Sequence, residues 1–195
     1  ELSVCGTCLW RPPPFAAIHV PYAYATPIDW LVRRLKFRGD LAAGKLLGSL
    51  LARELVPLLR GVDIDGIIPV PLHRDRLRSR GFNQATELAR PLARALRAPL
   101  RSSGLARVRP CVPQMDLPAH RRRGNVRDAF AANETTSGHI VLIDDVVTTG
   151  STVREVARRL VAGGAGQVTV AAVARACPHT AGRKLSVRAR RQSSR

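Results

Sequence analysis

Two adjacent carboxylates, Asp144 and Asp145, close an apolar run and stand just ahead of Val146, Val147 and the small, hydroxyl-rich series Thr148, Thr149, Gly150, Ser151 and Thr152. Ionised carboxylates only accept hydrogen bonds, so the pair suits the vicinal hydroxyls of a sugar or the neighbourhood of a hydrated Mg²⁺ ion. Hydroxyls and successive backbone N–H groups at the start of a helix suit a phosphate instead. Gly150 lets the backbone turn closely against such a group. A sugar carrying a terminal phosphate satisfies both halves; the alternative is a solvated strand end followed by a helix cap.

The flanking pattern says what must position these groups. Residues 139–143 read as an apolar strand, 151–160 as a helix stopped by Gly163 and Gly164, and 168–173 as another apolar strand. Strand, helix and strand in that order make a right-handed βαβ unit and a parallel sheet. Ligands bind such sheets beyond the carboxyl ends of the strands, where 144–152 falls. Upstream, apolar spacing predicts helices over 28–36 and 41–59, and "GIIPVPLH" reads as a short strand ending at its prolines. The following "RDRLRSRGFNQ" is expected to be a basic loop. A helix over 83–96 follows, capped by Asn83 and kinked or divided at Pro91. A strand is expected within 99–107, and 108–126, rich in Pro and Arg, reads as a long loop or lid.

The chain has 195 residues, 45% hydrophobic and 24% charged, enough for one self-sufficient domain. Residues 1–27 show no clear periodicity and read as a small irregular appendage, 28–176 as the domain, and 177–195 as a basic, disordered tail. No apolar run is long enough to span a membrane and no secretory signal is visible, so a cytoplasmic location without membrane insertion is expected. The formal net charge of +18 attracts polyanions, whether nucleic acid or a highly phosphorylated small molecule, unless Arg simply fills ordinary surface positions. Phe82 is the one aromatic in a basic loop, which points to largely electrostatic binding of any single strand. Cys5 and Cys8 form a C-x-x-C, half of a zinc site; His19 as a further ligand has little support from spacing.

The segment "VLIDDVVTTGSTV", 141–153, resembles the phosphoribosyl-pyrophosphate (PRPP) signature of type I phosphoribosyltransferases. "PVPLHRDRLRSRGFNQA" at 69–85 and "PQMDLPAHRRRGNVRDAF" at 113–130 narrow the match to the ComF (GntX) family, whose members include factors for DNA uptake in natural competence. The resemblance implies an α/β, type I phosphoribosyltransferase fold: a central, mainly parallel sheet flanked by helices, with a small zinc-finger-like amino-terminal appendage. It implies that Asp144 and Asp145 hold the ribose hydroxyls while the segment through Thr152 wraps the 5-phosphate, with Mg²⁺ as cofactor. His73, Arg76, Arg80, Gly81, Phe82 and Asn83 then lie where pyrophosphate is held, and Gln114, Arg122 and Asn125 on a flexible loop closing over it. Arg80 and Arg122 are the expected catalytic groups, stabilising the leaving pyrophosphate. His73 is either an acid or base or a structural histidine. Cys5 and Cys8 correspond to the second of two usual cysteine pairs, so a structural Zn²⁺ site is incomplete. Purine-salvage relatives carry aspartate in place of Thr148, which argues against ordinary purine salvage. Three functions are consistent with these implications: phosphoribosyl transfer to an unidentified acceptor, single-stranded-DNA binding beside a DNA-uptake helicase, and PRPP sensing without turnover. Expected partners are a phosphorylated ribose ligand, single-stranded DNA, that helicase, and a second copy of the chain.

Overall fold

The computed structural model describes residues 10, 12–108, 128–132, 135–176 and 185–188. The strands are β1 (Ala17–Val20), β2 (Tyr22–Ala23), β3 (Gly66–Pro69), β4 (Leu105–Arg107), β5 (Phe130–Ala132), β6 (His139–Val147), β7 (Gln167–Arg175) and β8 (Leu185–Arg188). The helices are α1 (Ile28–Arg38), α2 (Leu41–Leu59), α3 (Arg74–Arg80), α4 (Gln84–Leu96) and α5 (Ser151–Ala162). A six-stranded sheet runs β3-β6-β7-β1-β8, with β2 also on β7, while β4 and β5 form a separate antiparallel pair. β3, β6, β7 and β1 are mutually parallel and β8 is antiparallel to β1.

The continuous apolar runs in β6 and β7 form strands covered on both faces, as parallel sheets require. Successive side chains of β6 alternate between two cores. Val141 and Ile143 pack with Val32 and Leu35 of α1, Leu47 and Leu51 of α2, and Leu88 and Leu92 of α4. Ile140 and Leu142 pack on the other side with Val153, Val156 and Leu160 of α5 and with Leu105 and Phe130 from the β4–β5 pair. The end of the sheet carrying the site is thus held between three helices on one face and α5 with the β4–β5 pair on the other.

Helices α2 and α4 meet at Gly48, where an added Cβ would lie 2.9 Å from both the Leu88 carbonyl oxygen and Pro91 Cγ. Helix α4 continues through Pro91 rather than dividing there.

Several boundaries differ from the sequence expectation. The amino-terminal segment is not wholly outside the domain: Ala17 pairs with Thr169, and the same register resumes at Tyr22 with Ala174. Pro21, which has no N–H to donate, splits this strand into pieces too short to show a period of two. Residues 185–188, expected to be disordered, form an edge strand on β1. Part of the expected basic loop is α3, invisible to apolar periodicity because none of its residues is buried. Within 99–107 the strand is β4 alone, with Leu100 making an isolated bridge to Ile67.

Candidate sugar-phosphate site

β3 and β6 are parallel neighbours, so the loops beyond Pro69 and Val147 emerge at the same edge of the sheet. This brings two of the three signature segments together. The third, including Gln114, Arg122 and Asn125, lies outside the described residues, as do Cys5, Cys8 and Cys111. Its connections are fixed nonetheless: β4 and β5, on either side of it, pair in antiparallel register from Leu105 opposite Ala132 to Arg107 opposite Phe130.

Asp144 and Asp145 lie inside β6, not in the loop after it, because the ladder continues to Val146 opposite Ala174 and Val147 opposite Arg175. Val146 and Val147 therefore serve chiefly as strand, packing against the two cores. Alternation directs the two carboxylates to opposite faces. Asp144 is half-buried, and its Oδ1 accepts from the Asp145 N–H at 2.8 Å. Burial first, and the neighbouring Asp145 charge second, push its pKa up to about 7, against the pull of Lys36 and Arg107.

Asp145 is 4% exposed. Its Oδ1 accepts from the Val146 N–H at 2.6 Å, and its Oδ2 lies 2.9 Å from Lys36 Nζ of α1. The latter contact is a close ion pair off the ideal hydrogen-bond angle. Burial acts to lower the Lys36 pKa, but the Asp145 carboxylate, with Asp144 beyond it, outweighs that and raises it above the ordinary value. Asp145 thus faces an N–H and an ammonium of the chain itself, and a cation already stands beside the carboxylate pair. Among the described residues no group of three or more His, Cys, Asp or Glu side chains is arranged to hold a metal.

Gly150 opens α5 in the left-handed region, φ 76°, and offers no capping side chain to the helix start. Thr149 Oγ1 lies 2.8 Å from Ser151 Oγ and 3.4 Å from the Ser151 N–H, so these hydroxyls fold back over the first turn. Thr148 and Thr149 are exposed, while Gly150, Ser151 and Thr152 are half-buried. Hydroxyls, a tight glycine turn and a helix start make a seat for an anion.

Across the edge, His73 starts α3. Its Nδ1 is 3.4 Å from the Asp75 N–H and 3.2 Å from Asp75 Oδ2, so the neutral ring caps the helix and the protonated ring pairs with the carboxylate. Arg76 is exposed. Gly81 ends α3 at φ 80°, its N–H donating to the Leu77 carbonyl at 2.8 Å. Arg80 donates to Gln84 Oε1 at 2.7 Å; burial lowers its pKa, while the Asp145 charge opposes that shift. Asn83 caps α4 by accepting from the Ala85 N–H at 3.0 Å. Phe82 packs against the α1–α2–α4 core and is not a free stacking platform.

Two residues of this edge escape a reading of motifs. Lys36 sits among Arg33, Arg34 and Arg38 and looks like surface charge. Arg107 of β4 stands 5.5 Å over the Phe130 ring, its buried Nε without a hydrogen-bond partner among the described residues, and its backbone bridges to His73. That bridge joins the base of the 109–127 connection to the start of α3.

No protein-family model matches the chain. It is 39% identical over 170 residues to the DNA utilization protein YhgH of Escherichia coli O157:H7, covering 85% of this chain and 75% of that protein. It is 34% identical over 179 residues to competence protein F of Haemophilus influenzae, covering 88% and 78% respectively. A solved glutamine PRPP amidotransferase from B. subtilis, in complex with ADP and GMP, is 26% identical, with a TM-score of 0.46, over 68% of this chain and 26% of that one. With relatives at these identities across most of its length, and with the parallel sheet and paired signature loops in place, the chain belongs to the ComF family of competence and DNA-utilization proteins.

Proposed function

We propose that this edge binds a ribose 5-phosphate group, as part of PRPP or a related ligand, and that it transfers the phosphoribosyl group with release of pyrophosphate. The observation that carries this reading is the placement of Asp144 near the end of β6, ahead of the hydroxyl-rich helix start Gly150–Thr152, with Arg80 at the end of α3 beyond the neighbouring strand β3. Asp144 accepts from a ribose hydroxyl, the first turn of α5 takes the 5-phosphate, and Arg80, joined by Arg122, stabilises charge on the departing pyrophosphate. The displacement breaks the bond from C1 to the pyrophosphate oxygen and forms one from C1 to the acceptor. Held in line by two loops, the reactants gain chiefly from orientation. A cytoplasmic setting and a role in using imported DNA belong to the same proposal, as does sensing of PRPP if turnover is absent.

Calorimetric titration of PRPP, with magnesium present, into the wild type and an Asp144→Asn variant tests the reading. Saturable binding that weakens strongly in the folded variant supports it, and accumulation of pyrophosphate on screening acceptors supports transfer. Absence of binding by the wild type at millimolar ligand overturns it.

A second reading, single-stranded-DNA binding beside a DNA-uptake helicase, is favoured by the outer face of α1. Trp30 and Phe37 are 54% and 77% exposed there, with exposed Arg33 between them and the Arg34 guanidinium 4.8 Å over the Trp30 ring. Alternating rings and guanidinium groups are a base-stacking surface. Trp30 fluorescence quenched by oligothymidylate, with strong salt dependence and loss in Phe37→Ala, is the expected result. Unchanged fluorescence at low salt sinks it.

A further inference from the structure

We infer that Lys36 is the resident cation of the carboxylate pair, so that the free site takes a ribose 5-phosphate group without needing a divalent metal; this rests on the sugar-phosphate reading above.

Two carboxylates beside a phosphate seat would repel an anionic ligand, and a hydrated divalent cation is the usual remedy. Here the positive charge is supplied by the chain. Lys36 Nζ lies 2.9 Å from Asp145 Oδ2, and the two side chains are 23% and 6% exposed. Asp145 Oδ2 is buried and has no well-formed hydrogen bond from elsewhere in the described residues. The other oxygen is taken by the Val146 N–H. Asp145 is thus nearly enclosed, between the Val146 N–H and the Lys36 ammonium, and the more accessible charges at this end of β6 are the Lys36 ammonium and the half-buried Asp144 carboxylate.

The residue type fits this role. Lysine is rare here, with Lys36, Lys45 and Lys184 the three lysines among 32 basic residues. Arginine's planar fork would pair with Asp145 bidentately and spend its donors there. A lysine ammonium is a compact point charge with three donors, so a single contact to Asp145 leaves donors for a ligand oxygen. The long stem also lets α1, whose Leu35 and Val32 are fully buried, deliver the charge to the sheet edge while staying packed.

The test is calorimetric titration of ribose 5-phosphate into the full chain, once in EDTA and once with Mg²⁺. This probe carries no pyrophosphate to bring its own metal. The wild type is expected to bind equally well in both buffers. Lys36→Gln should bind about tenfold or more weakly in EDTA and recover with Mg²⁺, while Lys36→Arg, which keeps the charge but spends donors on Asp145, should fall between Lys36→Gln and the wild type. Wild-type binding that requires Mg²⁺, or Lys36→Gln binding normally in EDTA, overturns the inference while leaving the sugar-phosphate reading intact. Absence of wild-type binding in both buffers overturns that reading and this inference with it. Should Lys36→Gln fail to fold, reductive methylation of the wild type followed by mass spectrometry decides. Lys36 should react more slowly than exposed Lys45, and more slowly still when ribose 5-phosphate is added in EDTA. A Lys36 rate unaffected by saturating ligand overturns the inference.

Discussion

The side-chain amide of Asn83 donates to the backbone carbonyl of Val70 at 3.0 Å, fastening the end of the basic segment to the mouth of β3. The same side chain caps α4 through the Ala85 N–H. One residue therefore sets both the start of a helix and the position of the segment that ends α3.

Removing both bonds in Asn83→Ala should cost about 1–2 kcal/mol of stability, whereas Asn83→Asp keeps an acceptor for the cap and loses the donor to Val70. Urea denaturation should rank wild type above Asn83→Asp and Asn83→Ala, with PRPP affinity reduced in both variants. An Asn83→Ala protein as stable as the wild type refutes this account of the loop.

The raised pKa of Asp144 makes stability depend on pH. Its carboxyl titrates near 3.8 in the unfolded chain and at about 7 when folded. Between those values the folded state holds the extra proton, so this group's contribution is fully present below the lower value and is lost as pH rises through the upper. Asp144→Asn cannot lose it. The variant's stability relative to wild type should rise between about pH 4 and pH 7, by up to roughly 1.4 kcal/mol per pH unit, then level off. Parallel pH profiles for the two proteins in urea unfolding would show that Asp144 has no such shift.

The α2–α4 contact separates two glycines of the same helix. A Cβ at Gly48 would meet the Leu88 carbonyl oxygen and the Pro91 ring, which are held by the backbone, whereas one at Gly44 would meet the flexible end of Leu35 at 2.9 Å. Gly48→Ala should destabilise by about 1–3 kcal/mol, while Gly44→Ala should cost less because Leu35 can turn and alanine favours the helix. Thermal unfolding of both variants checks the order; equal melting points contradict the packing described.

Gly150 is required for its backbone rather than its size. A Cβ there would make only ordinary contacts, 3.9 Å to Val153 Cγ2 and 4.0 Å to Val147 Cγ1, but φ is 76°. Gly150→Ala should therefore lose about 1–2 kcal/mol of stability from the left-handed conformation. Ligand affinity should fall as well, because relaxing the turn moves the N–H groups of the α5 start. Retention of full affinity by the variant would remove the first turn from the site.

The parallel sheet and the glycine turn that opens α5 were legible because each rests on a local signal: apolar runs for β6 and β7, and a glycine ahead of an amphipathic helix for α5. What the sequence did not reveal depends on distant partners. Nothing around Lys36 distinguishes it from its arginine neighbours until α1 is laid over the end of β6. Arg107 likewise gains significance only when β4 bridges to His73. The run Asp144-Asp145 read as a loop because carboxylates are poor strand formers, yet hydrogen bonding to β7 carried the strand past them. Helix α3 was missed because a helix with no buried residue has no apolar stripe to betray it.

The place of β1 between β7 and β8 has a consequence for how the molecule is made. Ala17 is synthesised long before Thr169, the residue opposite it in the sheet. Helices α1, α2 and α4 can associate on the ribosome, yet β1 must wait until almost all of the described chain has emerged. Until then its N–H and C=O groups have no ladder to join, and the growing chain exposes an unpaired edge. Closing so long a loop late in folding favours slow completion, and it gives a chaperone its longest opportunity at the amino-terminal strand.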